Sequence, residues 1–346
     1  MSPDFFIDTL GTERFSALIG LVVGLLFGAF AQQSRFCLRA ACVEFWRGQI
    51  NQKFAIWLIT FSAALVATQI YVNGGQIDTS DIRQLNSVGS MSGAIIGGLM
   101  FGAGMILARG CASRLLVLSA TGNMRALISG LIITVIAQAS LRGILSPSRE
   151  GLSNIWLVEA HERGFSHWLP NFGGIGLGIL ILILGFWFAR KYKLAKWHML
   201  TALLTGMCIT LGWLLNSWHS NNSFDIVPVK SISFTGPSAD TLMSVINMPS
   251  IPFSFDIGLV PGVFLGSFIA SVLTREFEWQ QFTKETRQSR YLIGASLMGF
   301  GSMLAGGCAV GAGVTGGSLL AITAWVALLF MWLGAGLTDW LVDKPR

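Results

Sequence analysis

A chain of 346 residues is long enough for about two or three soluble domains, but 53% of it is hydrophobic, only 12% is charged and the mean hydropathy is +0.64. Soluble chains carry about 25% charged residues, so this composition cannot clothe a water-facing surface, and the chain reads as an all-α polytopic membrane protein set in a lipid bilayer. The net charge of +6 does not point to nucleic acid, because the basic residues sit in short loops between apolar runs, where membrane topology accounts for them.

The N-terminal stretch to Arg14 carries Asp4, Asp8 and Glu13 and lacks the basic leader of a cleaved signal peptide. The first apolar run is therefore expected to stay in the membrane. A bilayer core takes about 20 apolar residues as helix, and that ruler predicts spans at 14–34, 54–72, 92–108, 124–142, 172–190, 197–215, 257–274, 291–306 and 318–338. These nine crossings form one integral membrane domain. The spans at 92–108 and 291–306 are short and glycine-rich and are expected to include half-helices that turn back inside the protein. Basic residues gather in three loops, Arg35, Arg39, Arg47 and Lys53 in one, Arg190, Lys191, Lys193 and Lys196 in another, and Arg275, Lys284, Arg287 and Arg290 in the third. The positive-inside rule makes these loops cytoplasmic, which puts the N-terminus outside and the C-terminus inside. The long loops 143–171 and 216–256 have no low-complexity run and are expected to fold as caps. Tryptophans such as Trp46, Trp57, Trp168, Trp197 and Trp279 fall near span ends, as interfacial anchors do.

Sliding the chain against itself exposes a repeat. Gly97 to Ala112 reads GGLMFGAGMILARGCA and Gly294 to Ala309 reads GASLMGFGSMLAGGCA, identical at 8 of 16 positions without a gap. The topology sends the two copies across the membrane in opposite directions. Inverted repeats with interrupted helices are a transporter device that places a substrate site where the halves meet, here halves of about 14–143 and 172–338. A weaker likeness joins Gly20, Gly24 and Gly28 to Gly258, Gly262 and Gly266, where close helix packing is the simpler explanation.

Each copy ends in Gly-Cys-Ala, Gly110-Cys111-Ala112 and Gly307-Cys308-Ala309. Glycine frees the backbone to break the helix, and the amides that start the next helix can face an anion. A cysteine there would sit at the narrowest part of a path. Cys37 lies between Arg35 and Arg39 where the first span ends; arginine nearby favours thiolate and attracts anions. Cys42 and Cys208 lack such a context and read as packing residues. No cysteine has zinc-site spacing, and His161, His167, His198 and His219 are scattered, so neither a metal nor a disulfide framework is expected. The GxGxxG at Gly311 to Gly316 follows a membrane segment and has no strand before it, so no nucleotide cofactor is expected. No acidic residue lies well inside a span, which favours facilitated passage over sodium or proton coupling.

Three segments carry a resemblance to a known family. Arg35-Phe36-Cys37 after a glycine-rich first span, Ala108-Arg109-Gly110-Cys111-Ala112, and Ala305-Gly306-Gly307-Cys308-Ala309-Val310-Gly311 resemble the three cysteine motifs of the YeeE/YedE sulphur-transport family. Gly262 to Ala270, with Arg275-Glu276-Phe277 after it, is similar to that family's late span and basic exit. The resemblance covers nearly the whole chain. It implies a bacterial inner-membrane permease for thiosulfate, an hourglass-shaped helical fold, and the three matched cysteines along the path. It also implies a cytoplasmic TusA-like or rhodanese-like sulphur carrier as partner. Arg109 stands where the family commonly has glycine, and a cation beside Cys111 would favour a dianion yet slow its release. Two alternatives stay open: a permease for sulfite, a selenium oxyanion or another small sulphur species, and a membrane-bound sulphurtransferase or thiol relay carrying persulfide on a cysteine.

Overall fold

The computed structural model describes residues 11–165, 172–223, 225, 227–247, 252–280 and 288–343; Asp4, Asp8, His167, Trp168, Lys284 and Arg287 lie outside the described residues. The protein is helical, with a single pair of two-residue strands, Gly89–Ser90 against Leu157–Val158, among the described residues. In chain order the helices are α1 (Thr12–Ser34), α2 (Leu38–Trp46), α3 (Gln52–Asn73), α4 (Met91–Leu107), α5 (Ala112–Ala120), α6 (Met124–Arg142), α7 (Ser146–Ser153), α8 (Gly173–Lys191), α9 (Lys196–Asn222), α10 (Thr235–Asn247), α11 (Phe255–Leu273), α12 (Gln288–Leu304) and α13 (Ile322–Val342). Between α12 and α13 the chain forms a short π-helix, Ala309–Thr315. Among the described residues, nine spans are long and apolar enough to cross a bilayer, with α12 and the bent segment after it taken as one. The nine expected crossings all correspond to helices. The last begins at Ile322 rather than 318, because Leu320 takes a left-handed conformation (φ 58°) and ends the preceding turn.

The turning-back pieces are not the glycine-rich spans themselves but the segments that follow them. Helix α4 has 17 residues, about 25 Å at 1.5 Å per residue, enough for most of a crossing. It is α5 that fails to cross: it starts just past α4 and ends beside the C-terminal end of α11, where Glu278 N–H donates to the Thr121 carbonyl and Gln280 N–H to the Gly122 carbonyl. Helix α2 likewise follows the end of α1 and returns to the same face, with Arg47 paired to Asp339 near the end of α13. The π-helix re-enters from the opposite face and returns there, where Phe165 N–H donates to the Leu320 carbonyl.

Contacts between helix ends sort the loops onto two faces. Arg35 reaches Glu276, Gln52 reaches the Tyr192 carbonyl, His198 reaches the Gln33 carbonyl and Arg290 reaches Asp343, so the described parts of the three basic loops share one face. The loop after α3 and the described parts of 223–254 lie on the other. The described parts of the two long loops are folded, carrying α7 and α10 and a bridge from the buried Arg163 to the Ser87 carbonyl (2.6 Å) and Thr323 (3.0 Å).

Glycine sets how closely the central helices approach. Helices α4 and α12 run antiparallel: a Cβ at Gly97 would stand 2.5 Å from the Gly301 carbonyl oxygen, and one at Gly104 2.5 Å from that of Gly294. Of the repeat's matched glycines, Gly97, Gly104, Gly294 and Gly301 form a packing seam between its own two copies, while Gly102 and Gly299 face α13 and α6. Helices α1 and α11 are neighbours that run parallel, Gly20 against Phe255, Gly24 against Leu259 and Gly28 against Val263. Their likeness is therefore a shared small-residue packing face, and no inversion relates them. Gly97→Val should sharply reduce detergent-stable protein on size-exclusion chromatography, whereas Gly130→Ala, with nothing within 4 Å of the added methyl, should behave as the native chain. Equal recovery of both variants would contradict this packing account.

Candidate functional site

Three helix breaks share one local structure, and each ends on a cysteine. The chain leaves α1, α4 and α12 through a residue in the left-handed region, Arg35 (φ 55°), Arg109 (φ 56°) and Gly306 (φ 80°). The next amide then reaches back five residues, Phe36 to the Ala31 carbonyl (3.3 Å), Gly110 to Met105 (3.1 Å) and Gly307 to Ser302 (2.8 Å). This Schellman closure satisfies carbonyls that a helix end leaves open. One residue later come Cys37, Cys111 and Cys308, all extended. Their carbonyls accept the first bond of the following helix, from the amides of Ala41 (3.3 Å), Leu115 (2.9 Å) and Ala312 (2.8 Å). All three cysteines are therefore N-cap residues. Gly311 N–H donates to the Cys308 Sγ at 3.4 Å, and the Ala40 and Arg114 amides are the backbone donors facing the Cys37 and Cys111 sulfurs. A helix N-terminus carries about half a positive charge and unpaired amides, so each thiol stands where an anion is favoured.

The breaks after α1 and α4 bring two of the thiols together: Cys37 and Cys111 are close enough for each to act on the other's ionisation. Ser113 Oγ lies 3.4 Å from the Cys111 sulfur. Cys111 and Cys308 are fully buried, and Cys37 is half-buried. Gly110, Gly307, Ala112 and Ala309 are buried around them. Cys42 and Cys208 are buried in the helix packing of α2 and α9.

The arginines divide. Arg35 is a helix terminator whose half-exposed side chain pairs with Glu276 at 2.9 Å; Gln32 donates to the other carboxylate oxygen at 3.0 Å. Arg109 ends α4 through its backbone and is exposed. Arg39 lies close enough to act electrostatically on Cys37, and its buried Nε has no hydrogen-bond partner. Arg39 and Arg109 also face Asp343, which Arg290 grips with two bonds of 2.8 and 2.7 Å, holding that carboxyl below the usual carboxylate range.

A cation that acts on both of these thiols is one the sequence reading did not select. Arg114, three residues after Cys111 on α5, is close enough to act electrostatically on Cys37 and Cys111, and its contact with Gln32 Oε1 is long, 3.5 Å. The signal for it was positional: the third residue of a helix that starts at a Gly-Cys break lies over the cap. The site thus offers soft, weakly acidic S–H groups, helix-start amides and a guanidinium, the donor set of a small sulphur-bearing oxyanion. On the basic face Glu276 is paired with Arg35 and Asp339 with Arg47 at 2.7 Å, while Glu44 on α2 accepts the Asn51, Lys53 and Phe54 amides; on the opposite face Asp256 is paired with Lys230 at 2.7 Å.

The sequence profile of a family described as sulphur transport matches residues 33–337. A protein named thiosulfate transporter TsuA from Escherichia coli (strain K12) is 28% identical over 348 aligned residues, covering 94% of each chain. A protein of the same name from Spirochaeta thermophila is 24% identical, covering 94% of this chain and 98% of its own.

Because Cys37 and Cys111 are neighbours, mild oxidation of the purified protein should join them with loss of two hydrogens, detected as one cross-linked peptide pair by mass spectrometry. Oxidation that leaves both thiols free, or joins Cys37 to Cys42 instead, would contradict this geometry.

Proposed function

This chain belongs to the sulphur-transport family, and we propose that it takes thiosulfate up across a bacterial inner membrane, with the N-terminus outside and the basic face in the cytoplasm. The observation that carries this reading is the thrice-used break that sets a thiol on a helix N-terminus, with Arg114 beside two of the three. The relatives are transporters, and the role is passage rather than catalysis.

Thiosulfate is a tetrahedral dianion with one soft terminal sulphur. Its oxygens can take helix-start amides and the Arg114 guanidinium, while thiols donate weak hydrogen bonds to it. The cargo enters from the face opposite the basic loops, meets Cys308 first, passes to Cys111 and leaves past Cys37. No bond is made or broken, since neutral S–H groups act as donors in sequence. Weak donors suit the task, because passage needs binding favourable enough to enter and loose enough to leave. With no carboxylate well inside a span to carry a coupling ion, flux is drawn by consumption in the cytoplasm, where a TusA-like or rhodanese-like carrier would take the sulphur at the basic face. The two copies of the repeat act as inverted halves, about 14–143 and 172–338, around this path.

Uptake of labelled thiosulfate by cells lacking their other sulphate and thiosulfate importers tests the cargo. A hydrogen bond to a charged group is worth about 1.5–3 kcal/mol, so Cys37→Ala, Cys111→Ala and Cys308→Ala should each lower flux about tenfold or more while the protein stays in the membrane. Arg114→Gln should act in the same direction. Native-level uptake by a variant would remove that residue from the path, and no uptake by the native chain would remove thiosulfate as cargo. Excess sulfite or selenite should compete less well than unlabelled thiosulfate. Protein recovered after transport should carry no added sulphur on these cysteines by intact mass, and a stable adduct of one sulphur atom would point to a relay instead.

A further inference from the structure

We propose that Thr235, at the start of α10, is a fourth contact for the transported anion, a hydroxyl at the place where the inverted arrangement of helices leaves no cysteine. The inference rests on the transport function above. Exchanging α1 with α9, α3 with α11, α4 with α12 and α6 with α13 maps the packing of these eight helices onto itself, with α8, which lies against α3, left without a counterpart. Helix α1 packs on α11 as α9 packs on α3, both pairs parallel, and α4 packs on α13 as α12 packs on α6. The short pieces obey the same exchange. Helix α5 lies against α6 and α11 as the π-helix lies against α13 and α3. Helix α2, which Cys37 caps, lies against α3, α13 and α4, and α10 lies against α11, α6 and α12. Helix α10 is thus the counterpart of α2.

The position matching Cys37 is Phe234, whose carbonyl accepts the first helical bond of α10, from the Ser238 amide at 2.8 Å. Phe234 cannot donate, and its ring packs on Phe27 with centroids 5.4 Å apart. The next residue, Thr235, is 1% exposed and its Oγ1 has no hydrogen-bond partner. A buried hydroxyl without a partner is rare and costs stability, so it marks a place where a ligand or water is to be met. Its surroundings adjoin two of the cysteine-capped helices. Thr315 of the π-helix donates to the Ile232 carbonyl at 2.7 Å and Gly311 lies against Ser233, which ties the start of α10 to the helix that Cys308 caps. Thr235 also lines, with Ala112 next to Cys111, a cavity of about 260 Å³. The start of α10 therefore stands among the helices capped by Cys308 and Cys111, and its unpaired amides and hydroxyl can take the oxygens of a small dianion.

The test compares native protein, Thr235→Val and Thr235→Ser in proteoliposomes for KM and Vmax of labelled thiosulfate uptake, and in detergent for Tm without the anion. Valine keeps the shape and removes only the hydroxyl. The expected result is a KM raised about tenfold in Thr235→Val, near-native KM in Thr235→Ser, and a Tm in Thr235→Val equal to or above native, because an unsatisfied group has been removed. A native KM in Thr235→Val, or a lowered Tm with KM unchanged, would show a packing role and overturn the inference while leaving transport intact. Absence of uptake by the native chain would overturn the transport function, and the inference with it.

Discussion

Inside a bilayer no water is available to satisfy a backbone that leaves its helix, so every break must close its own hydrogen bonds. That constraint shapes the three breaks of this protein alike. Each closes the old helix with a left-handed residue and a reach-back amide, then opens the next with an extended cysteine whose carbonyl begins the new ladder. The amides left free at the new start are the ones available to a solute, and the cap side chain beside them is a thiol. Anion attraction is therefore a by-product of ending and restarting a helix, to which cysteine adds a weak hydrogen-bond donor.

The rest of the molecule keeps these breaks in place. Backbone-to-backbone contact along the α4–α12 and α1–α11 seams, possible only where Cβ atoms are absent, fixes the helices whose ends carry the cysteines. On the basic face, ion pairs tie the helix ends together: Arg35 with Glu276, Arg47 with Asp339, Arg290 with Asp343. The α1 and α4 breaks meet because their helices end on the same face, which is what brings Cys37 near Cys111.

Much of this was legible in the sequence. Composition and apolar run length gave nine crossings, and the Gly-Cys-Ala repeat pointed to Cys111 and Cys308, since a motif repeated in opposite senses is hard to explain by packing alone. The left-handed turns at Arg35 and Arg109 were not legible, because arginine carries no mark of positive φ as glycine does; Gly306 alone announces it. The glycines of α1 and α11, for which close packing was the simpler reading, are two faces of one parallel contact, though that they pack on each other is decided by pairing in space and not by spacing along the chain. Arg114 escaped notice because its importance comes from standing over a helix start, and Phe234 because a counterpart without the cysteine shares no letters with Cys37.

The central claim is that the anion travels between thiol-capped helix starts, and the most direct measurement is an experimental structure of the protein determined with thiosulfate. The account predicts the dianion at a cap, within hydrogen-bonding reach of at least one of the Cys37, Cys111 and Cys308 sulfurs and of the amides that follow it, and lost when those cysteines are replaced by alanine. Thiosulfate bound away from all three sulfurs, and still bound and transported in the cysteine-free variant, would contradict it.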